Sequence, residues 1–172
     1  MRVWTIGHGR RPIEELLACL EAPGVRTLVD VRRYPASRRN PQFGQKLLAA
    51  ALAEAGIAYR HAVELGGRLA DEPGAERFPC IREPAFRSYA ARMGTEAWQR
   101  ALAGALAEPA PCLMCAETLW WKCHRRLIAD LLEARGQEVF HLLRPHQARR
   151  HRLGDEAEAI GGRLYLCGEL VA

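Results

Sequence analysis

Lysine is almost missing from this chain: Lys46 and Lys122 stand against 23 arginines. With alanine abundant as well, the bias reads as GC-rich coding, although arginine is also the better bidentate partner where a site needs to hold phosphate. No apolar run approaches the roughly 18 residues of a membrane span, which excludes a transmembrane helix. Proline and glycine together make 25 of 172 residues, too few for a collagen-like or disordered chain. The opening Met1-Arg2-Val3-Trp4-Thr5-Ile6-Gly7 is too short and too soon interrupted for a signal peptide, so a cytoplasmic protein is expected. Nucleotide fingerprints are lacking too. Gly7-x-Gly9 is followed by Pro12 where a dinucleotide site needs a third glycine, and there is no Gly-x4-Gly-Lys-Ser/Thr. A phosphatase- or rhodanese-type loop would place Arg six residues after its Cys, but Trp121 follows Cys115 at that distance and Ala129 follows Cys123.

What is present is globular material, 49% apolar and 26% charged, over the length of one domain. A chain of this size buries roughly 70% of its unfolded surface and needs no covalent staples. The net charge of +5 lies wholly in the first 70 residues, while the remainder balances. A basic stretch of this kind attracts phosphate or nucleic acid, or is a solvated arginine-rich surface.

Residues 3–6 form a short β-rich run ending at Gly7-His8-Gly9. Pro12 suits the first turn of a helix with Ile13, Leu16, Leu17 and Leu20 on one face. Residues 27–31 are near-continuously apolar, as in a strand buried on both sides. A polar loop over 32–44 leads to a helix over 45–55, ended by Gly56, and a short strand over 57–59. The long, charged segment 66–84 reads as a loop or lid. Helices are expected over 85–93 and 96–107, then a strand over 112–116 and a loop over 117–122. A helix over 124–134 and a strand over 138–143 follow. Residues 144–172 form a C-terminal extension, basic at first, with a strand-like run at 163–166. No internal repeat is present. The alternation predicts a single Rossmann-like α/β domain over 1–172, with a mostly parallel sheet of about five strands flanked by helices. Ligands of such sheets bind beyond the carboxyl ends of the strands, where His8, Asp30, Arg32 and Glu117 fall.

The six cysteines suggest no disulfide framework in a chain without a secretory signal. Cys19 and Cys167 lie in apolar runs and are expected in the core, while Cys80 in the long loop is uninterpretable alone. Cys112-x-x-Cys115 followed by Cys123-His124 has a zinc-like composition. Residues i and i+3 of a strand point to opposite faces, however, and adjacent Cys123 and His124 diverge at a helix start. No metal and no cofactor is therefore expected; a site drawn from His124 and Glu117 is the residual option for zinc.

Other groups carry two readings each. Cys123-His124-Arg125 opens a helix, whose N-terminus lowers a thiol's pKa and binds anions, so Cys123 is a thiolate or the turn is an anion cradle with Arg125 as its fork. The plainer reading is a small buried Cys, a capping His and a surface Arg. Glu117, before Trp120-Trp121, becomes a general acid or base if packed on indole, while the tryptophans themselves suit stacking on a base or sugar. Otherwise it is a surface Glu beside two structural tryptophans. Asp30 and Arg32 share a strand face and either pair together or divide, Asp30 orienting His8 and Arg32 facing a ligand. Ser37-Arg38-Arg39-Asn40 is dense in donors and suits phosphate contacts, or is a solvated turn.

These segments, in order and spacing, resemble the domain of unknown function 488 (DUF488) family. The resemblance rests on Thr5-Ile6-Gly7-His8, Leu28-Val29-Asp30-Val31-Arg32 with Pro35, Ser37 to Phe43, Gly56-Ile57-x-Tyr59 and Glu64-Leu65-Gly66-Gly67-Arg68. It continues through Phe86-x-x-Tyr89-Ala90-x-x-Met93, Leu113-Met114-Cys115-Ala116-Glu117 and Cys123-His124-Arg125-x-x-Ile128-Ala129, so that most of residues 3–143 are covered. Gly9 departs from the serine usual in the family after the His, and Leu119-Trp120-Trp121-Lys122 from the commoner proline-containing loop. The resemblance implies a compact Rossmann-like α/β domain without a settled activity. It also groups His8, Asp30, Arg32, Ser37, Arg38, Glu117, Cys123, His124 and Arg125 into one polar site, with nucleotides or nucleic acids as the suspected targets of some members.

The first expectation is an enzyme, hydrolase or glycosylase-like, acting on a nucleotide or nucleic-acid base at the N-glycosidic bond. Glu117 is its general base or stabilises an oxocarbenium-like centre, His8 or His124 assists proton transfer, Arg32, Arg38, Arg39 and Arg125 hold phosphate, and Trp120 or Trp121 stacks. A second is a thiol enzyme with Cys123 as nucleophile. The third is a non-catalytic nucleic-acid-binding or regulatory module.

Overall fold

In the computed structural model, which describes residues 1–68 and 71–172, one sheet runs in the order β3-β2-β4-β1-β5-β6. Strands β1 (Arg2–Gly7), β2 (Thr27–Asp30), β3 (Ala58–His61), β4 (Pro111–Cys115) and β5 (Glu138–Arg144) are parallel, and β6 (Gln147–Arg150) returns antiparallel along β5. Helices α1 (Ile13–Glu21), α2 (Gln45–Glu54), α3 (Pro84–Met93), α4 (Glu96–Leu106) and α5 (Arg125–Ala134) flank it. The expected mostly parallel α/β sheet is thus present, enlarged to six strands. β4 lies between β1 and β2. The chain therefore leaves β1 toward one side and leaves β4 over β1 toward the other. This reversal opens a crevice above the carboxyl ends of these strands.

The period of two along β4 sorts its side chains between two apolar layers. Cys112 and Met114 pack with Leu16, Leu20, Leu48 and Leu52, on the side of α1 and α2. Leu113 and Cys115 pack with Tyr89, Trp98, Leu102, Leu127 and Leu131, on the side of α3, α4 and α5. The two cysteines of the Cys-x-x-Cys stretch therefore face opposite ways. Trp98 Nε1 donates to the Tyr89 hydroxyl (3.2 Å), which donates to the Leu65 carbonyl (2.7 Å), fastening the chain after β3 onto α3 and α4.

The C-terminal extension holds more structure than its sequence signals. A second sheet, β7 (Ala157–Ile160), β8 (Arg163–Leu166) and β9 (Glu169–Leu170), is antiparallel, and Leu164, Leu166 and Val171 join the layer around α5. Only 163–166 is strand-like in sequence. β6 reads Gln-Ala-Arg-Arg with every residue exposed, and β7 is largely exposed, so neither shows hydrophobic alternation. The usable signal is Gly161-Gly162, both at positive φ, which forms the two-residue turn between β7 and β8.

Two cysteine expectations need correction, the core placement of Cys167 and the absence of any disulfide. Cys167 is not a core residue: it sits at φ +57° in the turn between β8 and β9 and forms a disulfide with Cys80. The apolar run that suggested burial ends one residue earlier, at Leu166. The bond pins the segment 66–84, expected as a loop or lid, to the C-terminal sheet. Phe78 and Ile81 are buried beside the pin, and Leu69 and Ala70 lie outside the described residues. Among the described residues no helix is long and apolar enough to cross a membrane.

The disulfide closes a loop spanning 87 residues, which restricts the unfolded chain. Cys80→Ser is expected to lower stability by about 2–4 kcal/mol, read by urea denaturation against the oxidised wild type. An unchanged midpoint would remove the bond from the stabilising interactions.

Candidate active site

A cleft of about 880 Å³ opens over the carboxyl ends of β1, β2 and β4. Seven basic side chains line it (Arg10, Arg32, Arg33, Arg38, Arg39, Arg68 and Lys122), while Glu117 is the one carboxylate among the described lining residues. Field lines converge in such a depression, so it favours anions. Arg38 and Arg39 are exposed at its rim, and Ser37 Oγ accepts the Asn40 backbone N–H (3.1 Å), closing the turn that presents them.

Asp30 and Arg32 pair with each other. Asp30 is fully buried and accepts Arg32 Nη2 (2.6 Å), Arg32 Nε (2.9 Å) and the Tyr59 hydroxyl (2.8 Å). Arg32 Nη1 donates to the Phe43 carbonyl (2.9 Å) and to His8 Nε2 (3.3 Å). Asp30 is not bonded to His8 and reaches it through the guanidinium. A guanidinium only donates, so His8 Nε2 is an acceptor and its Nδ1–H donates to the Gly9 carbonyl (2.9 Å). Burial lowers the His8 pKa; the Gly9 carbonyl opposes it and the Arg32 charge adds to it, leaving the value at about 4. Both ring nitrogens are thus engaged, and the ring stacks on Phe43 at 4.3 Å. A Cβ at Gly9 would lie 2.2 Å from Thr118 Oγ1, so the Thr118 hydroxyl fills the space of the side chain missing there.

Two sulfurs lie at the floor. Cys115, ending β4, and Cys123, just before α5, place their Sγ atoms 2.8 Å apart. Arg125 Nε (3.0 Å) and the Glu117 backbone N–H (3.3 Å) donate to Cys115 Sγ. Burial pushes the Cys123 thiol up, but the hydrogen bond from Cys115, the Arg125 charge and the Arg125 backbone N–H outweigh it and bring it down to about 6. Burial and the bond to Cys123 push Cys115 well up. Contrary to the expected divergence, His124 Nδ1 lies 3.4 Å from Cys123 Sγ. Its Nε2–H donates to the Val31 carbonyl (3.1 Å), which turns the Nδ1 lone pair toward sulfur. The ring lies flush against the backbone at Gly67, where a Cβ would stand 2.6 Å from Nδ1. Among the described residues no group of three or more His, Cys, Asp or Glu side chains is placed to hold a metal.

Arg125 is not the fork expected for an anion. It is 1% exposed and turned inward, because its donors are taken by Cys115 Sγ, by the Glu117 carbonyl (2.5 Å) and by Thr5 Oγ1 (3.1 Å). From Thr5 a buried chain runs on to His141 Nδ1 (2.7 Å), from His141 Nε2 to His151 Nδ1 (3.0 Å), and from His151 Nε2 to Asp130 Oδ1 (3.0 Å). Arginine donates at one end and a carboxylate accepts at the other. Burial, with the His151 and Arg125 charges next, lowers the His141 pKa to about 2. Sequence reasoning missed Thr5, Asp130, His141 and His151. Thr5, Asp130 and His141 are lone polar residues at inward positions of largely apolar elements, and that was the available signal, whereas His151 follows the exposed β6 among arginines and gave none.

The tryptophans do not face the cleft. Trp120 stacks on His141 at 4.3 Å under Arg149, and Trp121 lies edge-on to Trp120 and lines a separate groove. Glu117 is exposed, and its Oε1 accepts the Leu119 backbone N–H (3.3 Å). With both indoles committed elsewhere, the apolar packing expected to tune Glu117 has no basis. The cleft brings together His8, Arg32, Ser37, Arg38, Arg39, Glu117, Cys123 and His124, while Asp30, Arg125, Trp120 and Trp121 lie behind or beside it.

His8 and His141 stay neutral in the fold but bind protons near pH 6.5 when unfolded. The unfolded state then holds more protons, so stability falls as pH drops below about 6.5, by up to ~1.4 kcal/mol per pH unit for each histidine. The His8 contribution is complete near pH 4, whereas that of His141 continues lower. Urea midpoints at pH 7, 6 and 5 are expected to fall accordingly, and a flat profile would contradict the burial of both rings as neutral groups.

No curated protein and no solved structure matches the chain. The family model described as "Domain of unknown function DUF488" matches residues 12–132, which hold both thiols, His124, Arg125, the Asp30–Arg32 pair and the arginine loop. On that match, covering more than half its length, the chain belongs to the DUF488 family.

Proposed function

We propose that this protein is a thiol-dependent enzyme, with Cys123 as nucleophile on an anionic small molecule bound in the arginine-lined cleft. The observation that carries this reading is the Cys123 sulfur itself. It sits at the cleft floor with a second thiol 2.8 Å away, the His124 imidazole 3.4 Å away, and the buried Arg125 guanidinium bonded to that second thiol. A thiolate, not a thiol, is the nucleophile, and a neighbouring cation with hydrogen-bond donors favours that form. Arg38, Arg39 and Lys122 offer solvent-facing charge for a phosphate or carboxylate group. The sheet supports a Rossmann-like assignment through five parallel strands with helices on both faces, although β4 stands between β1 and β2.

A second reading, cleavage at the N-glycosidic bond of a nucleotide or nucleic-acid base, is favoured by Glu117 as the lone carboxylate facing this cleft among the described lining residues. In that reading Glu117→Gln abolishes turnover and Cys123→Ser leaves it intact. The thiol reading requires the reverse.

Alkylation by iodoacetamide across pH 5 to 10, with peptide mapping, tests the thiol reading. The Cys123 rate is expected to rise with a midpoint near pH 6, and Cys115→Ala to move that midpoint upward by removing the hydrogen bond to the thiolate. Adenosine monophosphate or inorganic phosphate is expected to slow alkylation in the wild type but not in Arg38→Ala/Arg39→Ala. A midpoint at the ordinary thiol value would sink the nucleophile. Lack of protection by any anion would sink the substrate class.

A further inference from the structure

We propose that Cys115 and Cys123 are a redox-active pair that reduces low-molecular-weight disulfides bearing carboxylate groups, with Cys123 attacking and Cys115 resolving. This rests on the reading of Cys123 as a nucleophile and names its electrophile. A lone nucleophile needs no partner sulfur in contact. Here the end of β4 and the residue two before α5 bring the sulfurs to 2.8 Å, a short way from the roughly 2.05 Å of a disulfide bond. Of the other free cysteines, Cys112 points into the opposite layer, and Cys19 packs there on Cys112's side of the sheet. Neither competes for the bond.

The surroundings suit both steps of exchange. In the first, the Cys123 thiolate attacks one sulfur of R–S–S–R. A Cys123–S–S–R bond forms, the substrate S–S bond breaks, and RS⁻ departs past the arginine-rich rim. In the second, Cys115 attacks the Cys123 sulfur of that mixed disulfide. The Cys115–Cys123 bond forms, and the second RS⁻ leaves with the proton that Cys115 gives up. The protein loses two electrons and the substrate gains them. Arg125 Nε and the Glu117 N–H, both aimed at Cys115 Sγ, stabilise the negative charge that this sulfur gains as it sheds its proton. They do the same when Cys115 becomes the leaving thiolate, as two equivalents of a monothiol reopen the pair and complete the cycle. The excess of basic over acidic lining residues selects a disulfide carrying carboxylates over a neutral one.

The test is to mix the reduced pair, with Cys80–Cys167 intact, with glutathione disulfide, quench with N-ethylmaleimide and map the peptides by mass. The wild type is expected to yield a Cys115–Cys123 cross-linked peptide, two hydrogens lighter, with free glutathione released. Cys115→Ser, or Cys115→Ala should the first variant fold poorly, is expected to stop at one glutathionyl adduct on Cys123, and Cys123→Ser to yield neither product. The neutral 2-hydroxyethyl disulfide is expected to react roughly tenfold more slowly than glutathione disulfide, a preference that Arg38→Ala/Arg39→Ala removes. A wild type that keeps a lasting adduct on Cys123 without cross-linking would overturn the pair and leave Cys123 a nucleophile. Equal rates for the two disulfides would overturn the substrate class. Failure of Cys123 to react in any variant, together with an ordinary alkylation midpoint, would remove the underlying thiol reading.

Discussion

A guanidinium taken out of water must be surrounded by acceptors, and the upper end of this sheet is built to satisfy that demand for Arg125. Leaving such a group unpaired costs several kcal/mol, so the elements that supply its partners are held in place together. Thr5 fixes β1, Cys115 fixes the end of β4, and the Glu117 carbonyl fixes the loop beyond it, all from the first turn of α5. The thiol pair is a consequence of this arrangement. Cys115 is where it is because Arg125 holds its sulfur, and Cys123 meets it because the helix carrying Arg125 begins two residues later.

The same chemistry is repeated on the other side of the sheet. Arg32 is anchored by Asp30, which is itself bonded to Tyr59, and the guanidinium spends a remaining donor on His8. Two buried arginines therefore support the cleft from beneath, while Arg38 and Arg39 at the rim are spare. This division matters for reading an arginine-rich chain. The count of basic residues says little about ligand binding until those with buried partners are set aside, and the two inside the fold are the ones whose charge shapes the acidity and orientation of their neighbours.

The parallel sheet was legible because its central strands β2 and β4 are buried on both faces, which leaves near-continuous apolar runs at 27–31 and 112–116, separated by helices of clear periodicity. The opposed directions of Cys112 and Cys115 followed from the strand period alone. Most of the cleft followed from strand-end position, which needs only topology. What was not legible depends on distant partners. The inward turn of Arg125 needs Thr5 and Cys115 together, the stacking of Trp120 needs His141, and the pairing of Cys80 with Cys167 joins segments 87 residues apart. Exposed β6 and β7 failed for a different reason: an edge strand lacking an apolar face has no pattern to read.

The placement of β1 separates two notions of what the unit is here. β1 is hydrogen-bonded on both sides, to β4 and to β5, and neither β1 nor β5 falls within residues 12–132. A fragment cut to that segment would lack a central strand of its own sheet, and with it Thr5, the link between Arg125 and the buried histidines. Gene fusion or recombination that moved that segment alone would carry the two thiols and the arginine loop into a new host without the strand that organises them. A fragment that holds both thiols and a body that folds cooperatively are therefore different lengths of this chain, and the geometry of the cysteines depends on residues outside the stretch that contains them.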